Sequence, residues 1–359
     1  MKQLTKYGAS EHWFSVASRY PDWQLGRVVS QYKDQYRIVT EEGEGLAEAS
    51  GKFRYEASDP SQYPAVGDFV MADNTVSMVG TMRIHQILPR KSLFQRVSAG
   101  SKHQTQVVAA NIDTIFICMA LNSNYNLSRL ERYLSVAWSS GALPVVVLTK
   151  SDLCTDLLQI RAEVSAVAPN TEVIVTSSFD PDACSLLLPY LQPGKTASLI
   201  GSSGVGKSTL INCLAGQAHM ATSQTRQDDK GRHTTTRREL LVLPQGGIVI
   251  DTPGMRELGV DTADLSKSFS DIDSLSASCR FHDCTHTVEP GCSVLLALES
   301  GDLDPRRFEN YQKLKKEARY NGLSSREIEN VKLNTMFAHI GGKKNARKFI
   351  SENDKRSDV

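Results

Sequence analysis

Gly201-Ser-Ser-Gly-Val-Gly-Lys-Ser208, followed by Thr209, leaves this chain fewer folds to choose from than any other stretch. Its spacing is G-x-x-x-x-G-K-[ST], in which glycines let backbone N–H groups turn inward around phosphate oxygens. Such a loop needs a strand before it and a helix after it, so that the positive end of the helix dipole adds to the amides. Both flanks are there: Thr196-Ala-Ser-Leu-Ile200 reads as a short apolar strand and Leu210-Ile-Asn-Cys-Leu-Ala215 as a helix. A glycine-rich turn that matched by accident would not have those neighbours. In this setting Gly201, Ser202, Ser203, Gly204, Val205, Gly206, Lys207, Ser208 and Thr209 surround a nucleotide's phosphates. Lys207 would reach the β and γ phosphates and Ser208 would place its hydroxyl on Mg²⁺.

From about residue 105 apolar strands alternate with helices, the texture of a doubly wound α/β sheet. Thr114–Leu121 is continuously apolar, as a parallel strand buried on both faces should be. Leu127–Ser140 is amphipathic and helical, and Pro144–Leu148 is the next strand. That strand ends in Thr149, Lys150, Ser151 and Asp152, which fit the guanine-reading pattern [N/T]-K-x-D at the carboxyl end of a strand, where such sheets bind ligands. A carboxylate there accepts two hydrogen bonds from guanine N1 and N2, which adenine does not offer. Glu172–Thr176 is a further strand, and Ser177 follows it where a backbone amide can support guanine O6. Beyond the phosphate loop, Glu239–Leu243 and Gly247–Ile250 read as a hairpin leading into Asp251-Thr-Pro-Gly254. Asp251 suits the Mg²⁺ shell, Gly254 can offer an N–H to a γ-phosphate, and Thr235 or Thr236 can close over the metal as the switch threonine. An ordinary GTPase runs phosphate loop, switch threonine, D-x-x-G, N-K-x-D and small-residue loop. Here the last two precede the first, so the domain is expected to be circularly permuted, an arrangement open to domains whose ends meet at the surface.

The chain has 359 residues of which 40% are hydrophobic, enough for two or three domains. A net charge of +1 names no partner, and the absence of an 18-residue apolar run or a signal peptide leads us to expect a soluble, cytoplasmic protein with no membrane contact. In residues 22–88, Leu25–Val29, Gln35–Val39, Leu46–Ala49, Asp68–Ala72, Val76–Val79 and Arg83–Leu88 alternate with turns. Short strands at that spacing predict a small β-barrel, with an OB-fold the best single guess and an SH3-like barrel a pattern the sequence does not separate from it. Tyr32, Tyr36, Phe53 and Tyr55 either stack on RNA bases or fill the barrel. The stretch from Lys91 to Lys102 reads as a basic linker.

Seven cysteines in an intracellular chain argue for metal ligands or buried thiols over disulfides. Three of them fall with two histidines inside Cys279–Cys292. Cys279, Cys284, His286 and Cys292 would make a closed, structural tetrahedral Zn²⁺ site, leaving His282 over. Cys118 and Cys213 read as core, while Cys154 and Cys184 show no partner. Beyond the cluster, Asp304–Tyr320 and Ser324–Phe337 look helical, with Lys313, Lys315, Lys316 and Arg319 in one region and a basic tail from Gly341 to Lys348. With an OB-like barrel at one end and a zinc module at the other, contact with RNA is expected.

The permuted order of Thr149–Asp152, Gly201–Ser208 and Asp251–Gly254, together with the C-x4-C-x-H-x5-C spacing, resembles the RsgA-like family of ribosome small-subunit-dependent GTPases. The likeness covers nearly the whole chain. It implies a multidomain α/β architecture: an OB-fold RNA-binding domain over 1–95, a circularly permuted P-loop GTPase domain over 100–262 and a helical zinc-binding domain over 263–359. It also implies hydrolysis of GTP to GDP and phosphate, stimulated by the small (30S) subunit late in its maturation, on 16S rRNA near the decoding region. A monomer is expected, carrying one Zn²⁺ and using Mg²⁺ with GTP. Met255 stands where a water-positioning Gln often follows D-x-x-G, and the family points instead to His233, next to the threonines. The implied catalytic set is then His233, Lys207, Thr235, Thr236, Asp251 and Gly254. The competing class is a GTP-gated RNA-binding module in which hydrolysis is incidental.

Overall fold

The structure is a computed structural model that describes residues 3–73, 80–97, 105–177, 179–180, 182–216, 238–251, 265–320 and 325–336. Two short helices, α1 (Gln3–Lys6) and α2 (Glu11–Ala17), precede the barrel. They were not legible in a polar N-terminus, yet each seats a fully buried residue, Leu4 and Trp13, against it. The barrel consists of β1 (Gln24–Tyr32), β2 (Gln35–Thr40), β3 (Glu44–Ala49), α3 (Gly51–Glu56), β4 (Phe69–Ala72) and β5 (Thr81–Ile87). Its order is β1-β2-β3-β5-β4, and β4 pairs back onto β1, so the sheet closes with the connectivity of an OB-fold. Alternate residues point inward, and Val28, Ile38, Val70, Met82 and Ile84 fill the interior. Of the aromatic residues, Tyr36 fills that core, while Tyr32 and Tyr55 are exposed. The expected strand at Val76–Val79 lies outside the described residues.

The stretch beginning at Lys91 is not simply a linker. It opens a hairpin in which β6 (Leu93–Val97) pairs antiparallel with β7 (Thr105–Ala110). Phe94, Val108 and Ala109 of that hairpin are buried, and this apolar spacing outweighs the basic residues around it.

Then come β8 (Thr114–Ala120), α4 (Leu127–Ser139), β9 (Leu143–Thr149), α5 (Leu157–Val167), β10 (Glu172–Val175), β11 (Thr196–Ile200), α6 (Lys207–Ala215), β12 (Arg238–Val242) and β13 (Ile248–Asp251). Strands β10, β9, β8, β11 and β13 lie side by side and parallel, with β12 antiparallel at the edge. The period of two along β8 makes it a two-sided wall. Ile115, Ile117 and Met119 face the layer containing α4 and α5, and Phe116, Cys118 and Ala120 face the layer containing α6. β12 also pairs with β1 of the barrel, through Ser30↔Glu239 and Gln31↔Arg238, so one eleven-stranded sheet runs through both parts.

One expectation is corrected. Cys184, which showed no partner in the sequence, and Cys213, which read as a core thiol, form a disulfide with Cα atoms 6.3 Å apart. They are 29 residues apart in no recognisable spacing, and only the packing of the Ser185–Tyr190 turn and α6 on one sheet face brings them together. Cys118 is a buried free thiol, as expected, and burial pushes its pKa up to about 12.

The last part is helical: α7 (Leu265–Ser268), α8 (Ser270–Ala277), α9 (Ser293–Ser300), α10 (Pro305–Tyr320) and α11 (Ser325–Met336). Its core is Phe269, Ile272, Val294, Leu303, Phe308, Tyr311 and Leu314. It is joined to α4 by charge. Fully buried Glu131 accepts hydrogen bonds from Arg307 (2.9 Å), Arg306 (3.3 Å) and Asn310. Arg132 grips Glu317 with two bonds of 2.7 and 2.8 Å. Among the described residues no helix is long and apolar enough to cross a membrane.

Candidate active site and metal centre

The carboxyl ends of β9, β10, β11 and β13 converge on one place, and the sequence motifs are the loops that leave them. After β11 the chain enters the phosphate loop at Gly201, whose φ is +148°; a Cβ there would lie 2.3 Å from the carbonyl oxygen of Cys118. Only glycine fits at that position, because loop and neighbouring strand touch backbone to backbone. The loop closes into α6, which begins at Lys207 and points its N-terminal amides into the loop. The Lys207 ammonium lies across the loop and donates to the carbonyls of Gly201 (2.7 Å) and Ser202 (2.8 Å). Ser203, Gly204 and Thr209 are exposed around it, and Ser208 is half-buried.

The loop that leaves β9 is fastened to the glycine-rich loop that leaves β11. Buried Thr149 donates its hydroxyl to the carbonyl of Val205 at 2.6 Å. Lys150 then takes a left-handed backbone conformation (φ 56°), which turns Ser151 and Asp152 toward the end of β10. There the Ser151 amide donates to the Thr176 carbonyl at 3.2 Å, and the Ser177 hydroxyl donates to the Asp152 carboxylate. The carboxylate is therefore oriented by a side chain from the next strand, with lone pairs left for a ligand. Asp251 ends β13 beside β11, on the phosphate side. His233, Thr235, Thr236 and Gly254 lie outside the described residues.

One residue at the site had no signal in the sequence. Arg129, in the first turn of α4, donates to the Ser202 hydroxyl at 3.3 Å. Asn126 caps that helix by accepting from the Arg129 amide at 2.8 Å, so the cap aims the side chain at the phosphate loop. Which loop the start of α4 faces is a matter of topology.

The second cluster is local. One ligand atom from each of Cys279, Cys284, His286 and Cys292 lies within 4.8 Å of every other. Cys279 Sγ is 3.7 Å from His286 Nδ1 and 3.9 Å from Cys292 Sγ, and His286 Nδ1 is 3.4 Å from Cys292 Sγ. Bonds of roughly 2.3 Å to sulfur and 2.0 Å to nitrogen put tetrahedral donors about 3.5–3.8 Å apart, so this set fits a zinc-sized ion. The other ring nitrogen of His286 is 3.1 Å from the Ser276 hydroxyl, a partner that fixes the ring's orientation. Burial holds the His286 pKa below its ordinary value and Lys315 adds to this, which favours the neutral, ligating imidazole. His286 has φ 59°, and the tight bend is braced by Glu289, which accepts from the amides of Thr285 (2.8 Å), Thr287 (2.8 Å) and Val288 (3.0 Å). His282 is exposed and outside the cluster.

The family model described as RsgA GTPase matches residues 87–261. A protein of Lactiplantibacillus plantarum named small ribosomal subunit biogenesis GTPase RsgA 2 is 47% identical over 341 residues, covering 95% of each chain. One of Opitutus terrae, named small ribosomal subunit biogenesis GTPase RsgA, is 44% identical over 82% of this chain and 83% of its own. Among solved structures, YjeQ from Thermotoga maritima aligns with a TM-score of 0.59 at 28% identity, over 82% of this chain and 98% of that one. YloQ, described as a circularly permuted GTPase, aligns with a TM-score of 0.58 at 24% identity, over 83% and 95%, and supports the fold alone.

Proposed function

The chain belongs to the RsgA GTPase family, and from that premise we propose how its residues divide the work of GTP hydrolysis in small-ribosomal-subunit biogenesis. The observation that carries the reading is the bond from Thr149 to Val205, which joins the base-reading loop to the phosphate loop at the carboxyl ends of parallel strands. Two loops tied in this way hold a nucleotide at both ends, and Asp152 selects guanine over adenine by its two acceptor positions. Ser177 orients that carboxylate, and Lys150 and Ser151 complete the base side.

On the phosphate side, Gly201 to Thr209 wrap the phosphates, and Lys207 exchanges its bonds to the loop carbonyls for β and γ oxygens when GTP arrives. Ser208, Asp251 and Thr235 would hold Mg²⁺, which neutralises charge developing between the β and γ phosphates. Thr236 and the Gly254 amide close over the γ-phosphate from the two switch segments. His233 orients the attacking water: Met255 carries no hydrogen-bonding group for that role, and an imidazole can accept a proton or hold a water. Cys279, Cys284, His286 and Cys292 hold one structural Zn²⁺.

The partners are GTP, GDP and the small subunit. The finer reading is that a cytoplasmic monomer, organised as domains over 1–95, 100–262 and 263–359, sits on 16S rRNA near the decoding region. Exposed Tyr32 and Tyr55 of the barrel and exposed Lys313, Lys316 and Arg319 of α10 support contact with RNA at both ends of the chain.

The test is the rate of GTP hydrolysis with and without purified small subunits. Specific stimulation is expected, and His233→Ala should reduce the stimulated turnover by roughly 10²-fold or more with GTP and subunit affinity kept. Binding without stimulation would favour a GTP-gated RNA-binding module. Stimulation that survives in His233→Ala would move the water-positioning role to another group.

A further inference from the structure

We propose that this protein has a second small-molecule site, for a phosphorylated metabolite of mononucleotide size or smaller, in the cavity between the N-terminal helices, the barrel and the back edge of the GTPase sheet. The cavity measures about 650 Å³, within the range of sites that hold small ligands. It lies away from the nucleotide loops. Thr196, the first residue of β11, lines it, whereas the phosphate loop begins after Ile200, the last residue of that strand.

Its charge is one-sided. Lys6, Arg27, Lys91 and Lys195 line it against the single carboxylate of Asp113. That carboxylate is already engaged, with the Lys195 ammonium at 3.1 Å and the Thr196 amide at 2.8 Å. Arg27 is the decisive group, because it is only 1% exposed. Its guanidinium donates to the carbonyl of Tyr7, to the Thr196 hydroxyl (2.9 Å) and to the carbonyl of Gly67 (3.3 Å). All three acceptors are uncharged, and two of the five N–H donors of an arginine are left over. Among the described residues no carboxylate forms an ion pair with it; Asp113 and Asp68 act on it only at longer range. Burial pulls its pKa down to about 10, so at neutral pH it is still a cation. A cation buried among neutral acceptors is costly, and an anion entering beside it relieves that cost.

The rest of the cavity suits such an anion. Lys6, Lys91 and Lys195 are exposed at its rim, where they raise the local concentration of anions. Lys91 stands 5.0 Å over the ring of Trp13, which stacks on Phe69 at 4.2 Å, and these two rings form part of the cavity lining. An RNA strand lying on the rim would meet the lysines without reaching Arg27, which favours a small molecule.

The experiment uses the full chain saturated with GDP and Mg²⁺, so that the nucleotide site is filled. Inorganic pyrophosphate and AMP are titrated calorimetrically against it. Saturable binding of at least one probe at one site per chain is expected, weakened at least tenfold in the doubly reversed Lys6→Glu, Lys91→Glu variant and lost in Arg27→Met. The two lysines are exposed, so their reversal should leave GDP affinity and thermal midpoint unchanged, and this keeps the test decisive even if Arg27→Met does not fold. Absence of saturable binding, equal binding by the lysine variant, or binding of an RNA oligonucleotide alone would overturn the proposal.

Discussion

The nucleotide site and the cysteine–histidine cluster reach a defined geometry by opposite routes. The first is assembled from loops far apart in the chain, after β9, β10, β11 and β13, and its precision comes from the sheet beneath it. Every residue of β8 and of β11 is buried, so the strand ends are set by packing before any ligand arrives. The second is drawn from the single stretch Cys279–Cys292, which is bends and turns between α8 and α9. Its shape rests on a left-handed histidine, on the Glu289 brace and on four donors whose spacing suits an ion. A site built on a sheet should tolerate loss of its ligand, whereas a knuckle with so little regular structure should not.

The largest effect should come from removing a thiolate. Cys284→Ser or Cys292→Ser should take the protein from about one zinc per chain to none, and α8 to α10 should become sensitive to protease, since metal affinity in such modules is folding free energy. GDP affinity should stay within about twofold, because the sheet does not depend on the knuckle. Elemental analysis and limited proteolysis together read this out. A protein that loses zinc yet keeps protected C-terminal helices would show that the apolar core around Phe269, Val294 and Leu314 suffices there, and the contrast would collapse.

Next in size is the joint between the two regions. Glu131→Ala leaves Arg307, whose side chain is 5% exposed, without one of its two carboxylates. Breaking a buried pair from one side costs on the order of 3–5 kcal/mol. The shift in urea midpoint should appear in C-terminal probes and leave nucleotide binding nearly unchanged. Equal loss in both would mean that α4 transmits the damage to the phosphate loop through Arg129.

How much of this could be read beforehand follows the same division. The cluster was legible because all its ligands sit within one window, and the sequence singled out Cys279, Cys284, His286 and Cys292, the four that come together. The permuted sheet was legible because buried parallel strands are continuous apolar runs ending in motif loops. What topology alone decides was not: the Cys184–Cys213 pair, the reach of Arg129 to Ser202 and the burial of Glu131 under α10. The β6–β7 hairpin was missed for another reason, since its basic surroundings resembled a linker while its alternate apolar residues were too few to show a period.

A smaller effect tests the preformed character of the nucleotide site. Asp152→Asn should weaken GTP by about 2–3 kcal/mol, roughly 30- to 150-fold, through loss of a charge-assisted pair, and should favour xanthosine triphosphate. The fold should be untouched, because the carboxylate's bond from Ser177 can be made by an amide oxygen. Unchanged GTP affinity would remove Asp152 from the base-reading role.

The smallest expected effect is a difference in acid sensitivity. Burial is the largest single influence on Asp271 and pushes its pKa up, but the bonds from Arg307 at 2.7 and 2.8 Å, with that residue's charge, together outweigh burial and leave the carboxyl below its ordinary value. A folded pKa below the unfolded value of about 3.9 means that the native state binds fewer protons, so the contribution is complete above that value and fades as pH falls through the folded one. The side chain is 42% exposed, and solvent screening keeps the contribution small. The urea midpoint of the C-terminal helices should therefore drop as the pH falls below about 4, and drop less steeply in Asp271→Asn. Any metal held by the cysteine–histidine cluster is common to both proteins, so the difference between the two slopes belongs to Asp271. If the slopes coincide, Arg307 is anchored by Glu131 alone, and the joint to α4, more than the knuckle's own carboxylates, sets the acid limit of the C-terminal region.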